Sequence, residues 1–136
     1  MIPVRWMAPE TLRYSCKMKF TVASDVWAYG VTIWEVYTYG ELPYFLLNND
    51  EARRQILNGL TLDIPEQCPE SIKNVMKLSW KFDPSRRCSF DEIVAIIEES
   101  ETDITSSLIG RSEEDRNEET NGWYTIILYS LLKTFS

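Results

Sequence analysis

The sequence of 136 residues contains no histidine, and this absence excludes several kinds of active site. Serine–histidine and cysteine–histidine mechanisms need an imidazole base, and many metal sites need imidazole ligands. Only three cysteines occur, Cys16, Cys68 and Cys88, and their wide spacing forms no C-x-x-C pair. We therefore expect neither a disulfide framework nor a zinc site, and a reducing compartment fits this composition best.

Glycine and long hydrophobic runs are also scarce. The five glycines stand too far apart to form G-x-G-x-x-G or a P-loop, so no phosphate-binding glycine loop is expected. The longest uncharged stretch of the apolar C-terminus, residues 120–132, has 13 residues. A membrane-spanning helix needs about 20. No charged leader followed by an apolar stretch opens the chain, so secretion is not expected.

The net charge of −7 is concentrated near the C-terminus. Nine acidic residues but only two arginines lie between Glu98 and Glu119, and the rest of the chain is neutral, with 12 acids and 12 bases. Since no basic face is visible, nucleic acid is not a predicted partner. We predict an acidic disordered linker over residues 100–121. We predict an apolar segment over residues 122–136, which would be an interfacial helix, a docked helix or a stretch without function.

The hydrophobic share of 44% is ample for a packed core, and its periodicity predicts a mainly α fold with four or five helices. The central helix runs from Asp25 to about Tyr39 and is apolar on nearly every side, which is typical of a buried helix. We expect Ser24 to cap it and Asp25 to face the positive end of its dipole. The other predicted helices lie near 8–12, over 49–58, from Pro69 to Trp80 and after a Ser89 cap.

Three segments together resemble the C-terminal lobe of a protein tyrosine kinase catalytic domain. They are Pro3–Glu10 (PVRWMAPE), Ser24–Gly30 (SDVWAYG) with Trp34 and Glu35 following, and Asp83–Phe90 (DPSRRCSF). Their order and spacing match that family from the end of the activation segment to the last helix, over about residues 2–98. The tryptophan in the first segment is typical of tyrosine kinases, and the string is closest to receptor-type members. The resemblance implies a partial protein-kinase-like fold over residues 1–99, a helical C-lobe without the N-terminal β lobe.

The resemblance also implies a role for Pro3, Val4, Arg5 and Trp6 in binding substrate. In the family, this segment is the shelf on which the residue after the target tyrosine packs. We expect it to be extended, because a proline-fixed strand presents a rigid wall. The implied partner of the intact parent is a protein or peptide that contains tyrosine. The sequence indicates no oligomeric state, and contact with a membrane would come only through another segment of the parent.

Five further residues are expected to have structural roles, three of them by the same resemblance. Glu10 and Arg87 are expected to form a buried ion pair beneath the shelf. Asp25 accepts hydrogen bonds from the catalytic loop in the family, whereas in this chain only a role at the helix N-terminus can operate. Trp27 and Trp80 are expected to belong to the core.

The groups that transfer phosphate in kinases are missing from the sequence. Without histidine there is no H-R-D motif, and no D-F-G occurs. We therefore expect no cofactor in this chain, although the resemblance implies ATP and Mg²⁺ for the intact family domain. The first hypothesis is that this chain is a part of a cytoplasmic tyrosine kinase and is inactive alone. The parent kinase would be either a plasma-membrane receptor or a non-receptor protein. The alternatives are a non-catalytic interaction module, a pseudokinase fragment, or a remnant without function.

The composition of the central helix also predicts that the isolated chain has low stability. A helix that is apolar all round needs neighbours on several faces, and we expect some of these to lie upstream of Met1. Several of its large side chains would then face water, and the isolated chain would be marginally stable or molten.

Overall fold

The computed structural model describes residues 3–14 and 20–108. These residues form five α-helices and two short 3₁₀ turns, with no strand among them, which confirms the predicted mainly α fold. In chain order the elements are the 3₁₀ turn Val4–Trp6, α1 (Pro9–Arg13), α2 (Val22–Tyr37), α3 (Asn49–Leu57), α4 (Glu70–Ser79), the 3₁₀ turn Pro84–Arg86 and α5 (Phe90–Leu108).

Helix α2 lies at the centre of the structure, and α4 packs against it. Trp27, Val31 and Ile33 of α2 are almost completely buried. The two helices approach closely at Gly30, where a β-carbon would lie 2.7 Å from Nε1 of Trp80. A larger residue at this position would therefore force Trp80 or Ser79 to shift.

The start of α2 differs from the prediction. The helix begins at Val22, one turn earlier than expected, and its cap is Thr21 rather than Ser24. The Thr21 hydroxyl accepts a hydrogen bond from the Ser24 backbone N–H (3.2 Å), and the Ser24 hydroxyl accepts one from the Thr21 N–H (2.8 Å). This reciprocal arrangement satisfies two backbone donors at once, which explains why the helix starts at the threonine.

The expectation that the central helix exposes large side chains is wrong for most of α2. Among the large apolar residues of the predicted range Asp25–Tyr39, only Tyr39 is strongly exposed, and Val22, which precedes that range, is exposed at the start of α2. Helix α4 and the two 3₁₀ turns pack against α2. The exposed apolar groups lie mainly in the connections between helices. Among the described residues, the large hydrophobic side chains with the greatest exposure are those of Leu46, Tyr39, Phe20, Val22, Phe45 and Tyr14.

Helix α5 extends further than the sequence suggested. Its N-terminus carries the predicted Ser89 cap, since the Ser89 hydroxyl accepts a hydrogen bond from the Glu92 backbone N–H (3.2 Å). The helix then continues to Leu108, past Ser100, the predicted start of the linker. The rest of the linker prediction and the apolar segment 122–136 lie outside the described residues. None of the helices in the described residues combines the length and the hydropathy of a membrane-spanning segment.

Candidate substrate-binding site

The segment Pro3–Trp6 is a tight turn and not the extended strand that we predicted. The Trp6 backbone N–H donates to the Pro3 carbonyl oxygen (3.1 Å), and the Met7 N–H donates to that of Val4 (3.2 Å). Such i→i+3 hydrogen bonds define a 3₁₀ turn. Pro3 lies just before the first residue of the turn, where a backbone N–H is not needed for these bonds, so the N–H that proline lacks is no obstacle. Pro3 is exposed and Val4 is half-buried, so a small apolar surface remains accessible.

The side chain of Arg5 attaches this turn to the connection between α2 and α3. Its Nη1 donates to the carbonyl oxygens of Pro43 (2.8 Å) and Tyr44 (2.7 Å). Its Nη2 donates to the Leu47 carbonyl oxygen (2.6 Å), and its Nε donates to Asn49 Oδ1 (3.1 Å). Four of the five guanidinium N–H groups are thus used inside the protein. The main role of Arg5 is therefore to hold the turn in place, since most of its donors are not available to a substrate.

Trp6 attaches the same turn to α2. Its indole Nε1 donates to Glu35 Oε2 over 2.7 Å, and both residues are half-buried. Glu35 was not among the predicted site residues. It stands 29 positions from Trp6. No local periodicity could have linked the two, and the only signal was that Trp34 and Glu35 follow the kinase-like segment Ser24–Gly30 in the sequence.

Behind the turn, Glu10 and Arg87 form a two-pronged ion pair. Arg87 Nη1 donates to Glu10 Oε1 (2.6 Å), and Nη2 donates to Oε2 (2.8 Å). The Arg87 side chain has no solvent exposure, and that of Glu10 is 25% exposed. The planar guanidinium matches a carboxylate in this geometry, which makes the pair both strong and directional.

The remaining donors of Arg87 are also satisfied. Nε donates to the Lys81 carbonyl oxygen (2.8 Å), Nη1 to that of Ala23 (2.9 Å) and Nη2 to that of Phe82 (3.2 Å). All five N–H groups of Arg87 are therefore paired, which offsets the cost of burying its charge. Through these bonds Arg87 joins α1, the start of α2 and the loop that follows α4.

The two predicted core tryptophans lie inside the protein. Trp27 is 1% exposed and Trp80 is 7% exposed. The guanidinium carbon of Arg87 lies 5.1 Å from the centre of the Trp27 ring, a cation–π contact. Trp80 lies against Gly30. Neither indole N–H has an acceptor among the described residues, so both tryptophans contribute through packing.

Asp25 lies exposed in the first turn of α2. Because Thr21 is the cap, Asp25 contributes only as a negative charge close to the positive end of the helix dipole. The predicted Ser24 cap is therefore corrected to Thr21, whereas Asp25 lies in the first turn of α2, as expected.

The described residues offer no reactive thiol and no metal-binding cluster. Cys68 and Cys88 are free and buried. Burial raises the pKa of the Cys68 thiol to about 11 and also raises the pKa of Cys88. Both thiols are therefore protonated at neutral pH and are poor nucleophiles. No group of three acidic, cysteine or histidine side chains in the described residues could hold a metal ion.

Comparison with known proteins agrees with the resemblance seen in the sequence. The family model for protein tyrosine and serine/threonine kinases matches residues 1–97. The tyrosine-protein kinase transforming protein Fps of avian sarcoma virus (strain PRCII) is 42% identical over 92 residues, 68% of this chain and 17% of that protein. The NT-3 growth factor receptor of Homo sapiens is 42% identical over 97 residues, 71% of this chain and 11% of the receptor. The chain thus spans less than a fifth of the length of these relatives.

Proposed function

The chain belongs to the family of protein tyrosine and serine/threonine kinases, and on this premise we propose that its Pro3–Trp6 turn positions protein substrates for tyrosine phosphorylation. In the intact kinase domain, the exposed Pro3 and the half-buried Val4 would contact the residue that follows the target tyrosine. Since both side chains are apolar, an apolar residue at that place in the substrate is favoured.

The observation that carries this proposal is the way in which the turn is held. Arg5 attaches it to the α2–α3 connection, and Trp6 attaches it to α2. Glu10, a few residues further along, is locked by Arg87. A binding surface must keep its shape to position a reacting group, and attachment at three points provides that rigidity.

We further propose that this chain does not transfer phosphate by itself. Its sequence has no H-R-D or D-F-G motif, and its described residues form no metal-binding cluster. They therefore do not fit ATP and Mg²⁺, and those groups belong to another part of a complete kinase domain. The proposed location is the cytoplasm, and in a receptor parent this part would lie on the cytoplasmic side of the plasma membrane.

The test is a chimaera that contains the full chain. The chain replaces the matching part of the kinase domain of the NT-3 growth factor receptor, which supplies the N-terminal lobe and the catalytic loop. We expect the chimaera to phosphorylate a tyrosine peptide in the presence of ATP and Mg²⁺, and the full chain alone to remain inactive.

Two arginine variants of the chimaera provide a matched control. Arg87→Met should abolish activity, because it removes the buried partner of Glu10, whereas Arg86→Met changes an exposed neighbour and should leave activity intact. A folded but inactive chimaera, together with binding of the full chain to an intact kinase, would contradict the proposal and favour the non-catalytic interaction module.

A further inference from the structure

We propose that Glu35 is a positioning residue for substrate binding, an inference that rests on the proposed function of the Pro3–Trp6 turn. Its carboxylate accepts the indole N–H of Trp6 at 2.7 Å. A hydrogen bond to an ionised acceptor is stronger than one between neutral groups and more demanding in direction. Trp6 is the last residue of the turn that carries Pro3 and Val4, so fixing its indole fixes the turn.

Helix α2 makes this attachment part of a larger arrangement. Near its start, the Ala23 carbonyl oxygen accepts a hydrogen bond from Arg87, which holds Glu10. Glu35 lies twelve residues further along the same helix, about 18 Å away at the usual rise per residue. The stretch from Trp6 to Glu10 is thus attached near both ends to one rigid helix.

This geometry separates the role of Glu35 from that of the buried ion pair. Glu35 and Trp6 are half-buried, so loss of their bond leaves no charge stranded inside the protein. Arg87, in contrast, has a fully buried side chain. We therefore assign to Glu35 an effect on the placement of Val4 and the bound substrate, and to the Glu10–Arg87 pair an effect on folding.

The test uses the full-chain chimaera and a series of substitutions at Glu35. Glu35→Ala removes the acceptor and should raise the KM for a tyrosine peptide about tenfold, with kcat little changed. Glu35→Gln keeps an oxygen acceptor and should restore most of the affinity. Trp6→Phe should match Glu35→Ala, and the double variant should be no worse than either single one. Glu66→Ala removes an exposed carboxylate elsewhere and serves as the control.

A second measurement examines the hydrogen bond in the full chain without any chimaera. The indole ¹⁵N–¹H signal of Trp6, assigned by its absence in Trp6→Phe, should be protected from hydrogen exchange. That protection should fall at least tenfold in Glu35→Ala and persist in Glu35→Gln.

The outcomes distinguish this inference from the proposed function. An unchanged KM and an unchanged indole signal in Glu35→Ala would overturn the role of Glu35, as would equal losses in Glu35→Ala and Glu35→Gln. A wild-type chimaera that is folded but inactive would instead contradict the function proposed for the turn. In that case the indole measurement alone would decide whether Glu35 holds Trp6.

Discussion

Arg87 and Glu10 meet through two parallel hydrogen bonds of 2.6 and 2.8 Å although 77 positions separate them in the sequence. The pair joins α1, which follows the Pro3–Trp6 turn, to the loop that precedes α5. Because the guanidinium is fully enclosed and all its donors are paired, this contact favours one relative placement of the two segments. Any function of the turn depends on that placement.

Removal of the acidic partner is expected to be strongly destabilising. In Glu10→Leu the Arg87 charge stays buried without a counter-charge, and we predict a loss of about 3–5 kcal/mol in the free energy of unfolding. Urea titration of the full chain, followed by circular dichroism, measures this loss. The exposed Arg86→Met should change stability by less than about 0.5 kcal/mol. Equal stabilities for the two variants would show that the ion pair does not support the fold.

Gly30→Ala tests the contact between α2 and α4. In an open helix, alanine would be favoured over glycine by about 1 kcal/mol. Here the new β-carbon would lie 2.7 Å from Trp80 Nε1 and 2.9 Å from Ser79 Cβ, so we predict a net loss of about 1–3 kcal/mol in the same titration. In a Gly30→Ala, Trp80→Phe double variant the smaller ring should relieve part of this loss. A stabilised Gly30→Ala variant would mean that the helices are further apart.

The cap of α5 predicts a dependence of stability on pH. Glu92 Oε2 accepts hydrogen bonds from the Ser89 backbone N–H (2.7 Å) and from the Ser89 hydroxyl (3.1 Å). These two bonds, the backbone one first, lower the pKa of Glu92. Because the pKa is lower in the folded state, this stabilisation is present above the ordinary carboxyl pKa of about 4.3 and is lost as the pH falls through the folded value.

We therefore predict that acidification from about pH 6 to about pH 3 destabilises the wild-type chain more than Glu92→Gln. Urea titrations across this range measure the difference, with Asp91→Asn, a change at the exposed neighbouring carboxylate, as the control. Identical pH profiles for the wild type and Glu92→Gln would contradict the capping role.

Exposed apolar residues in the α2–α3 connection should promote self-association. Leu46 is 81% exposed and Phe45 is 64% exposed. Contiguous apolar surface of this kind favours association, so Phe45→Ser, Leu46→Ser should lower the sedimentation-average mass of the full chain without loss of helical circular dichroism. Leu60→Ser, at a residue that is 40% exposed, should have a smaller effect. If the double variant associates as strongly as the wild type, the contact surface lies elsewhere.

The helices could be predicted from the sequence because their signals are local. Asn49–Leu57 and Glu70–Ser79 follow their apolar periodicity, and the Ser89 cap of α5 needs only residues one turn apart. The predicted start of α2 is one turn too late because Ser24, which has an acidic neighbour, also carries a typical capping side chain, whereas the structure has Thr21 as the cap. Two capping residues three positions apart are hard to rank without knowing which hydroxyl meets which backbone N–H.

The conformation of the Pro3–Trp6 turn was harder to predict because long-range contacts determine it. A proline followed by valine favours an extended chain locally. In the structure, Arg5 donates hydrogen bonds to carbonyl oxygens about 40 residues away, and Trp6 donates one to Glu35. The segment that these long-range bonds hold is a 3₁₀ turn. The resemblance to kinase motifs predicted that Glu10 pairs with Arg87. The hydrogen-bond partners of Arg5 and Trp6, in contrast, could be identified only from the three-dimensional structure.

The most direct test of the central claim is the preference of the chimaera for the residue after the target tyrosine. The measurement is the ratio of kcat/KM for two peptides that differ only at that residue, with either isoleucine or aspartate. We predict that the wild-type chimaera prefers isoleucine and that Val4→Lys reverses the preference, because a positive charge then faces the substrate. If the ratio is the same for the wild type and Val4→Lys, the turn Pro3–Trp6 does not position the substrate.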